Sequence, residues 1–224
     1  MRILSFVAPG TLLALASPVA AQEAGEEGVR ISAAITGGTL GIGPELGVRF
    51  SDHLGVRGSA TFLGVGANFD VEDIEYDGDL NLESYGAMLD VYPFGSHFRL
   101  SAGARINNNR GRVAATPQGT VELGDQEYTA AQVGTLRGRA DVKNLAPALT
   151  LGWSGARRRG FMFSFDAGVL FQGSVRVRDF TASGTAAASP AFRTSLEAER
   201  RELQDDIDDY KAYPIAQVSI GWRF

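Results

Sequence analysis

Apolar and polar residues alternate along most of this chain. From Ala216 onward the even positions Ala216, Val218, Ile220, Trp222 and Phe224 are apolar. The odd positions Gln217, Ser219, Gly221 and Arg223 are polar or small. A period of two places one set on each face of a β-strand. The same rhythm runs through residues 29–35, 40–50, 54–62, 85–91, 98–106, 145–153 and 161–171, the last being the cleanest. Each segment is therefore predicted to be a strand with one face for an apolar medium and one for a polar one.

Short connections follow Phe50, Val91 and Trp153, and long ones follow Phe62, Ile106 and Phe171. The first long connection, about 68–80, is acidic, and the second covers about 107–136. Gly37-Gly38 is a turn signal. A turn there divides 29–50 into two strands and gives eight in all; one strand running through it gives an odd count. Residues 137–143 break the parity of the strand that follows, which predicts a bulge or an extension past its neighbours.

One stretch, about 189–210, is helical in pattern. Ser189 is placed to cap it and Pro190 suits its first turn. Phe192, Leu196, Leu203 and Ile207 recur at helical spacing, and Glu197, Glu199, Arg200, Arg201, Glu202 and Asp205 lie opposite. The helix is either a solvated loop element or a lid over the strands.

Residues 1–21 carry Arg2, an apolar core and Val19-Ala20-Ala21, the pattern of a secretory signal peptide cut before Gln22. Residues 22–28 form a short acidic lead-in, and 29–224 form one domain. After Ala21 no apolar run approaches the roughly 18 residues that a helical span needs. The chain has no Cys, which excludes disulfides and thiolate metal sites, and its formal charge is −5. With no basic stripe, nucleic-acid binding is excluded.

The signal peptide, the terminal Ile220-Gly221-Trp222-Arg223-Phe224 and hairpins such as 47–58 (Gly-Val-Arg-Phe-Ser-Asp-His-Leu-Gly-Val-Arg-Gly) together resemble small Gram-negative outer-membrane proteins. These are of the outer-membrane protein X, W and A membrane-domain type. The resemblance implies an all-β fold, an eight-stranded antiparallel transmembrane β-barrel; the long extracellular loops and the one loop helix are departures from a plain minimal barrel of this type. The resemblance implies short turns in the periplasm and a monomer in contact with outer-membrane lipids and lipopolysaccharide. It also implies that Trp222 and Phe224 form a C-terminal signal read by the barrel assembly machinery. The chain departs from the protein A type in lacking a periplasmic domain after the last strand.

The polar faces carry Arg30, Arg49, Arg57, Arg99, Arg105 and Arg223 with Glu45, Asp90 and Asp166. Eight strands enclose a space that side chains fill, so these groups are expected to interlock as ion pairs. The set is either a plug that holds the interior shut or the lining of a narrow anion-preferring path. The only histidines, His53 and His97, fall in short turns, away from the outer rim where a catalytic base is needed, and no enzymatic activity is expected. The glycines of 37–43 precede no helix and no Lys, so they are no phosphate loop.

No cofactor or dedicated metal site is expected. Asp205, Asp206, Asp208 and Asp209 crowd without calcium-loop spacing; they form a solvated acidic end or a cation bridge to lipopolysaccharide. Arg157, Arg158 and Arg159 suit anionic headgroups. Phe50, Tyr92, Phe94, Phe98, Trp153, Phe161, Trp222 and Phe224 are expected to form an aromatic girdle at the short-turn end. The expected function is a non-enzymatic envelope or surface-contact protein; the alternative is a narrow channel or transporter for small molecules.

Overall fold

The computed structural model describes residues 29–71, 74–155 and 159–224. The expected signal peptide, the acidic lead-in, Arg157 and Arg158 lie outside them. The strands are Arg30–Gly38 (β1), Gly41–Arg49 (β2), Leu54–Val71 (β3), Ile74–Val91 (β4), Phe98–Asn107 (β5), Arg110–Pro117 (β6), Thr120–Leu123 (β7), Gln126–Thr129 (β8), Leu136–Asp141 (β9), Leu145–Ser154 (β10), Gly160–Leu170 (β11), Arg176–Ala182 (β12) and Tyr213–Arg223 (β13). The helices are Ala130–Val133 (α1) and Pro190–Ile207 (α2).

Eight strands form a closed antiparallel ring in the order β1-β2-β3-β4-β5-β10-β11-β13, with β13 pairing back onto β1. The arrangement is consistent with a β-barrel. The turn between β1 and β2 falls at Thr39-Leu40, with Gly38 opposite Gly41, two residues beyond the expected Gly37-Gly38. That hairpin settles 29–50 as two strands. Over most of the ring the apolar set faces out and the polar set faces in: Ile35, Leu46, Leu89, Leu149, Phe163 and Ile220 are exposed, whereas Glu45, Asp90, Arg99 and Asp166 are buried.

The expected count of eight strands covers only the ring; among the described residues there are thirteen. Residues 68–71 and 74–80 of the acidic segment are strand, the far ends of β3 and β4, which pair without a break from Leu54↔Val91 to Val71↔Ile74. Past Ser84, β4 exchanges its neighbour β5 for β6, and β9 and β12 add on beyond. Residues 137–141, read as a parity break in one strand, belong to β9 in this extension. β7 and β8 form a separate hairpin.

α2 starts after an extended Ser189, whose side chain makes no capping bond, with Pro190 in its first turn. Phe192 and Leu196 are buried with Leu123 and Val133, and the Phe192 ring meets Tyr128 edge-on at 4.9 Å. Leu203 is exposed and Ile207 half-buried, so only the first half of the apolar stripe packs. The four-residue α1 is a second helix that the pattern did not announce. No helix among the described residues is long and apolar enough to cross a membrane.

Candidate functional site

The ring interior is layered. In the middle, Arg57 on β3 donates from Nε to Asp90 Oδ2 (2.7 Å) and from Nη1 to Glu45 Oε2 (3.1 Å). It also reaches Asp166 on β11, Nη1 to Oδ2 at 3.2 Å and Nη2 to Oδ1 at 3.3 Å. β3 and β11 stand four places apart in a ring of eight, so this contact crosses the diameter. Arg99 on β5 forks onto the same carboxylate, Nε to Oδ1 at 3.0 Å and Nη2 to Oδ2 at 2.5 Å. Ser101 donates to Asp90 Oδ1 at 2.6 Å. The carboxylates and guanidiniums thus satisfy one another, as buried charges must.

Two glycines make this possible. A Cβ on Gly152 would overlap Asp166 Oδ1, and one on Gly86 would stand 2.7 Å from Cγ of Arg105.

Arg105 departs from the expected ion pairing. It is buried, yet its donors go to Ser84 Oγ (2.7 Å), Ser59 Oγ (2.9 Å), Thr61 Oγ1 (3.3 Å) and the Ser84 carbonyl (3.2 Å). Its charge still closes the balance: Arg57, Arg99 and Arg105 stand against Glu45, Asp90 and Asp166.

The remaining arginines sit at the short-turn end. Arg49 donates to the carbonyls of Ser51 (3.1 Å), Ser96 (3.1 Å), Gly95 (3.1 Å) and Asp52, and its guanidinium lies 3.7 Å from the Tyr92 ring centroid. It ties the β2–β3 turn to the β4–β5 turn. Arg30 pairs with Asp52, and Arg223 donates to Ser154 Oγ at 2.8 Å. Tyr92 is therefore an inward residue and not part of the girdle. Phe50, Phe94, Trp153, Phe161, Trp222 and Phe224 are exposed on the outer side, and Phe98 is half-exposed beside Phe94, 6.1 Å between centroids.

At the opposite end the interior turns apolar. Leu40, Met88, Ala146, Ala148, Leu170 and Ile215 pack together, with Tyr213 donating its hydroxyl to the Thr39 carbonyl at 2.6 Å. Leu40 was expected on the outer face; the two-residue turn swings it inward. Met88, Leu170 and Ile215, apolar residues on the otherwise polar parity of β4, β11 and β13, were the sequence signals of this layer.

A cavity of about 30 Å³ lies between the central charges and the apolar layer, and one of about 20 Å³ lies on the other side toward Arg49. Each takes a water or two and no solute.

His53 and His97 both sit in the short turns. The His53 carbonyl accepts from Tyr92 N at 2.8 Å, and the His97 ring lies 5.8 Å from Trp153. Among the described residues no three His, Cys, Asp or Glu side chains gather as a metal site, Asp205, Asp206, Asp208 and Asp209 included. On α2, hydrogen bonds from Arg200 hold the Glu197 carboxyl below the usual range.

Outside the ring, the extension presents two faces. One carries Tyr76, Val113, Ala115, Leu136, Ala140 and Val177. With Phe180, Leu123 of β7 and Leu203 of α2 it bounds an apolar cleft of about 380 Å³. The other face is charged. Neither the cleft nor this sheet was anticipated, because Asp- and Gly-rich segments such as 75–79 are poor strand formers by themselves.

No protein-family model matches the chain, and no curated protein is similar to it in sequence. In three dimensions it is similar to the crystal structure of Acinetobacter baumannii CarO2, with 16% identity, a TM-score of 0.61, and coverage of 88% of this chain and 99% of that one. It is also similar to Acinetobacter baumannii CarO, with 17% identity, a TM-score of 0.58, and coverage of 86% and 97%. At such identities the likeness shows a shared fold alone.

Proposed function

We propose that the protein is a monomeric, non-enzymatic outer-membrane β-barrel whose interior is closed by charge and whose outer loops make its contacts with the envelope and the surroundings. The observation that carries this reading is the Arg57–Asp166 tie across the ring, with a water-sized cavity on either side of it.

The outer face supports the membrane location. On the outward positions of 214–224, 31–35, 42–50, 54–62, 85–91, 98–106, 145–153 and 161–169, no residue is charged. Along β13 this band runs about 33 Å, or about 25 Å of height once the strand is tilted, the height of the apolar band of such barrels. So large an exposed apolar surface is not maintained in water. Trp222 and Phe224, exposed at the end of the closing strand, are the residues we assign to assembly recognition.

Two measurements test the proposal. Density fractionation of the native envelope should place the protein with the outer membrane. Liposomes carrying the refolded protein should swell in isotonic sugars no faster than empty ones. Recovery in the inner-membrane or soluble fraction, or rapid swelling, overturns it.

The 380 Å³ apolar cleft favours a second reading, capture of a small apolar molecule beneath α2, since its size and lining suit such a ligand. Leu203→Asp should then abolish binding of the apolar fluorophore N-phenyl-1-naphthylamine. Equal binding by the variant removes this reading.

A further inference from the structure

The charged face of the extension carries arginines in rows. Directly opposed residues of antiparallel neighbours share a face. Arg112 of β6 stands opposite Arg139 of β9, and Arg139 stands opposite Arg178 of β12. Arg110, Arg137 and Arg176 lie on the same face of the same three strands, which contribute only Asp141 and Asp179 in return.

Like charges directly opposite across a ladder are destabilising, and the local acids relieve this only in part. Asp141 reaches Arg139 at 3.1 Å and Arg178 at 3.7 Å, and Asp179 reaches Arg139 at 3.9 Å. Among the described residues Arg110, Arg112, Arg137 and Arg176 form no ion pair, although Asp79 stands directly opposite Arg112 on β4. Arg112, Arg137 and Arg139 line an open basin of about 390 Å³, with Asp77 and Asp79 along its β4 side.

The position of this face is set by β4. Its register with β3 is unbroken, so Asn81 and Asp79 share a side with Tyr85, Leu89 and Val91, the outward residues of the ring. Arg110 pairs with Asn81 and Arg112 with Asp79. The arginines therefore continue the ring's outer surface, beginning about 13 Å along the strand beyond Tyr85, where the apolar band ends. A row of three adjacent strands spans about 10 Å.

We infer that the Arg112–Arg139–Arg178 row binds the phosphate groups of outer-leaflet glycolipid. Guanidinium forks match phosphate oxygens two at a time, and a phosphate between two arginines replaces their repulsion with attraction. The acids of β4 repel phosphate and confine the site to β6, β9 and β12. The lipid's acyl chains then lie along the apolar band below, which a soluble phosphate cannot use. This inference rests on the outer-membrane reading given above.

The test uses the full mature chain refolded in detergent, with folding verified by its heat-dependent gel mobility. Bisphosphorylated lipid A in the same detergent is titrated against it, alongside lipid A stripped of both phosphates and inorganic phosphate alone. Wild type should bind the phosphorylated lipid at least ten-fold more tightly than the stripped one. Combined Arg112→Ser, Arg139→Ser and Arg178→Ser should cancel that difference, and Arg200→Ser on α2 should preserve it. The three Arg→Lys changes, which keep the charge and the fold, should lose several-fold through the lost forks.

Equal binding of both lipids, or an unchanged difference in the folded triple Ser variant, overturns the inference and leaves the outer-membrane reading standing. Competition by millimolar inorganic phosphate assigns the row to soluble phosphate and also overturns it. Failure of wild type to fold into lipid vesicles at all overturns the outer-membrane reading itself.

Discussion

Arg57 and Asp166 are 109 residues apart in sequence and meet across the full width of the ring, two nitrogens against two oxygens at 3.2 and 3.3 Å. Arg99 grips the same carboxylate from β5 with a second fork. One carboxylate thus fastens β11 to β3 and β5, and Glu45 and Asp90 fasten β2 and β4 to the same guanidinium.

Removing one member of this set strands the others. Asp166→Asn leaves two buried guanidiniums short of charge and should cost about 3–5 kcal/mol, the range for breaking a buried pair. Arg57→Met should cost as much, by exposing three carboxylates to one another. Urea unfolding of the refolded protein in lipid vesicles measures both. A cost under 1 kcal/mol means the pairs are not formed.

Gly152 is the space that Asp166 occupies, so Gly152→Val should displace the carboxylate and destabilise the ring nearly as much as Asp166→Asn. Gly111→Ala is the control. Its added methyl meets only Ala140 at 3.8 Å, an ordinary contact, and it should leave the unfolding midpoint in place. Equal effects of the two changes contradict the packing described.

Leu149 lies midway along the outer face of β10 and is exposed. Leu149→Arg should cost about 2–4 kcal/mol in a bilayer, the range for a cation at mid-depth on a lipid-facing strand. The same substitution on a water-facing surface costs little. A negligible effect in vesicles means that this face does not meet lipid.

Phe192 anchors α2 against Tyr128, Leu123 and Val133. Phe192→Ala should cost about 3–5 kcal/mol of local stability. Hydrogen exchange of α2 should accelerate while the ring strands remain protected. Equal acceleration in both means that the loop helix and the ring unfold as one unit.

Much of the ring was legible because a period of two fixes which face a residue takes. Arg57, Asp90 and Asp166 fall on one parity of their strands, and all three point inward. What parity does not fix is the partner. Arg57 finds Asp166 only through ring closure, and Arg105, chemically the same as Arg57, finds hydroxyls instead of a carboxylate.

Leu40 kept the outward parity of β2 but sits beyond its first residue, in a turn that no longer obeys the strand period. Segment 74–80 read as a loop because Glu75, Asp77, Gly78 and Asp79 disfavour strands locally. It is a strand because β3 on one side and β6 on the other satisfy its backbone. The arginine rows were invisible for the same reason: Arg112, Arg139 and Arg178 become neighbours only after three separate loop segments pair.

The most direct test of a closed interior is the ion conductance of the refolded protein in a planar lipid bilayer, with insertion verified by protease protection. The Arg57–Asp166 tie predicts silence from wild type, and it predicts that joint Arg57→Ser and Arg105→Ser lowers stability without creating steady channels. Discrete, reproducible conductance steps from folded wild-type protein would contradict the account and make the arginine-lined interior a path for ions.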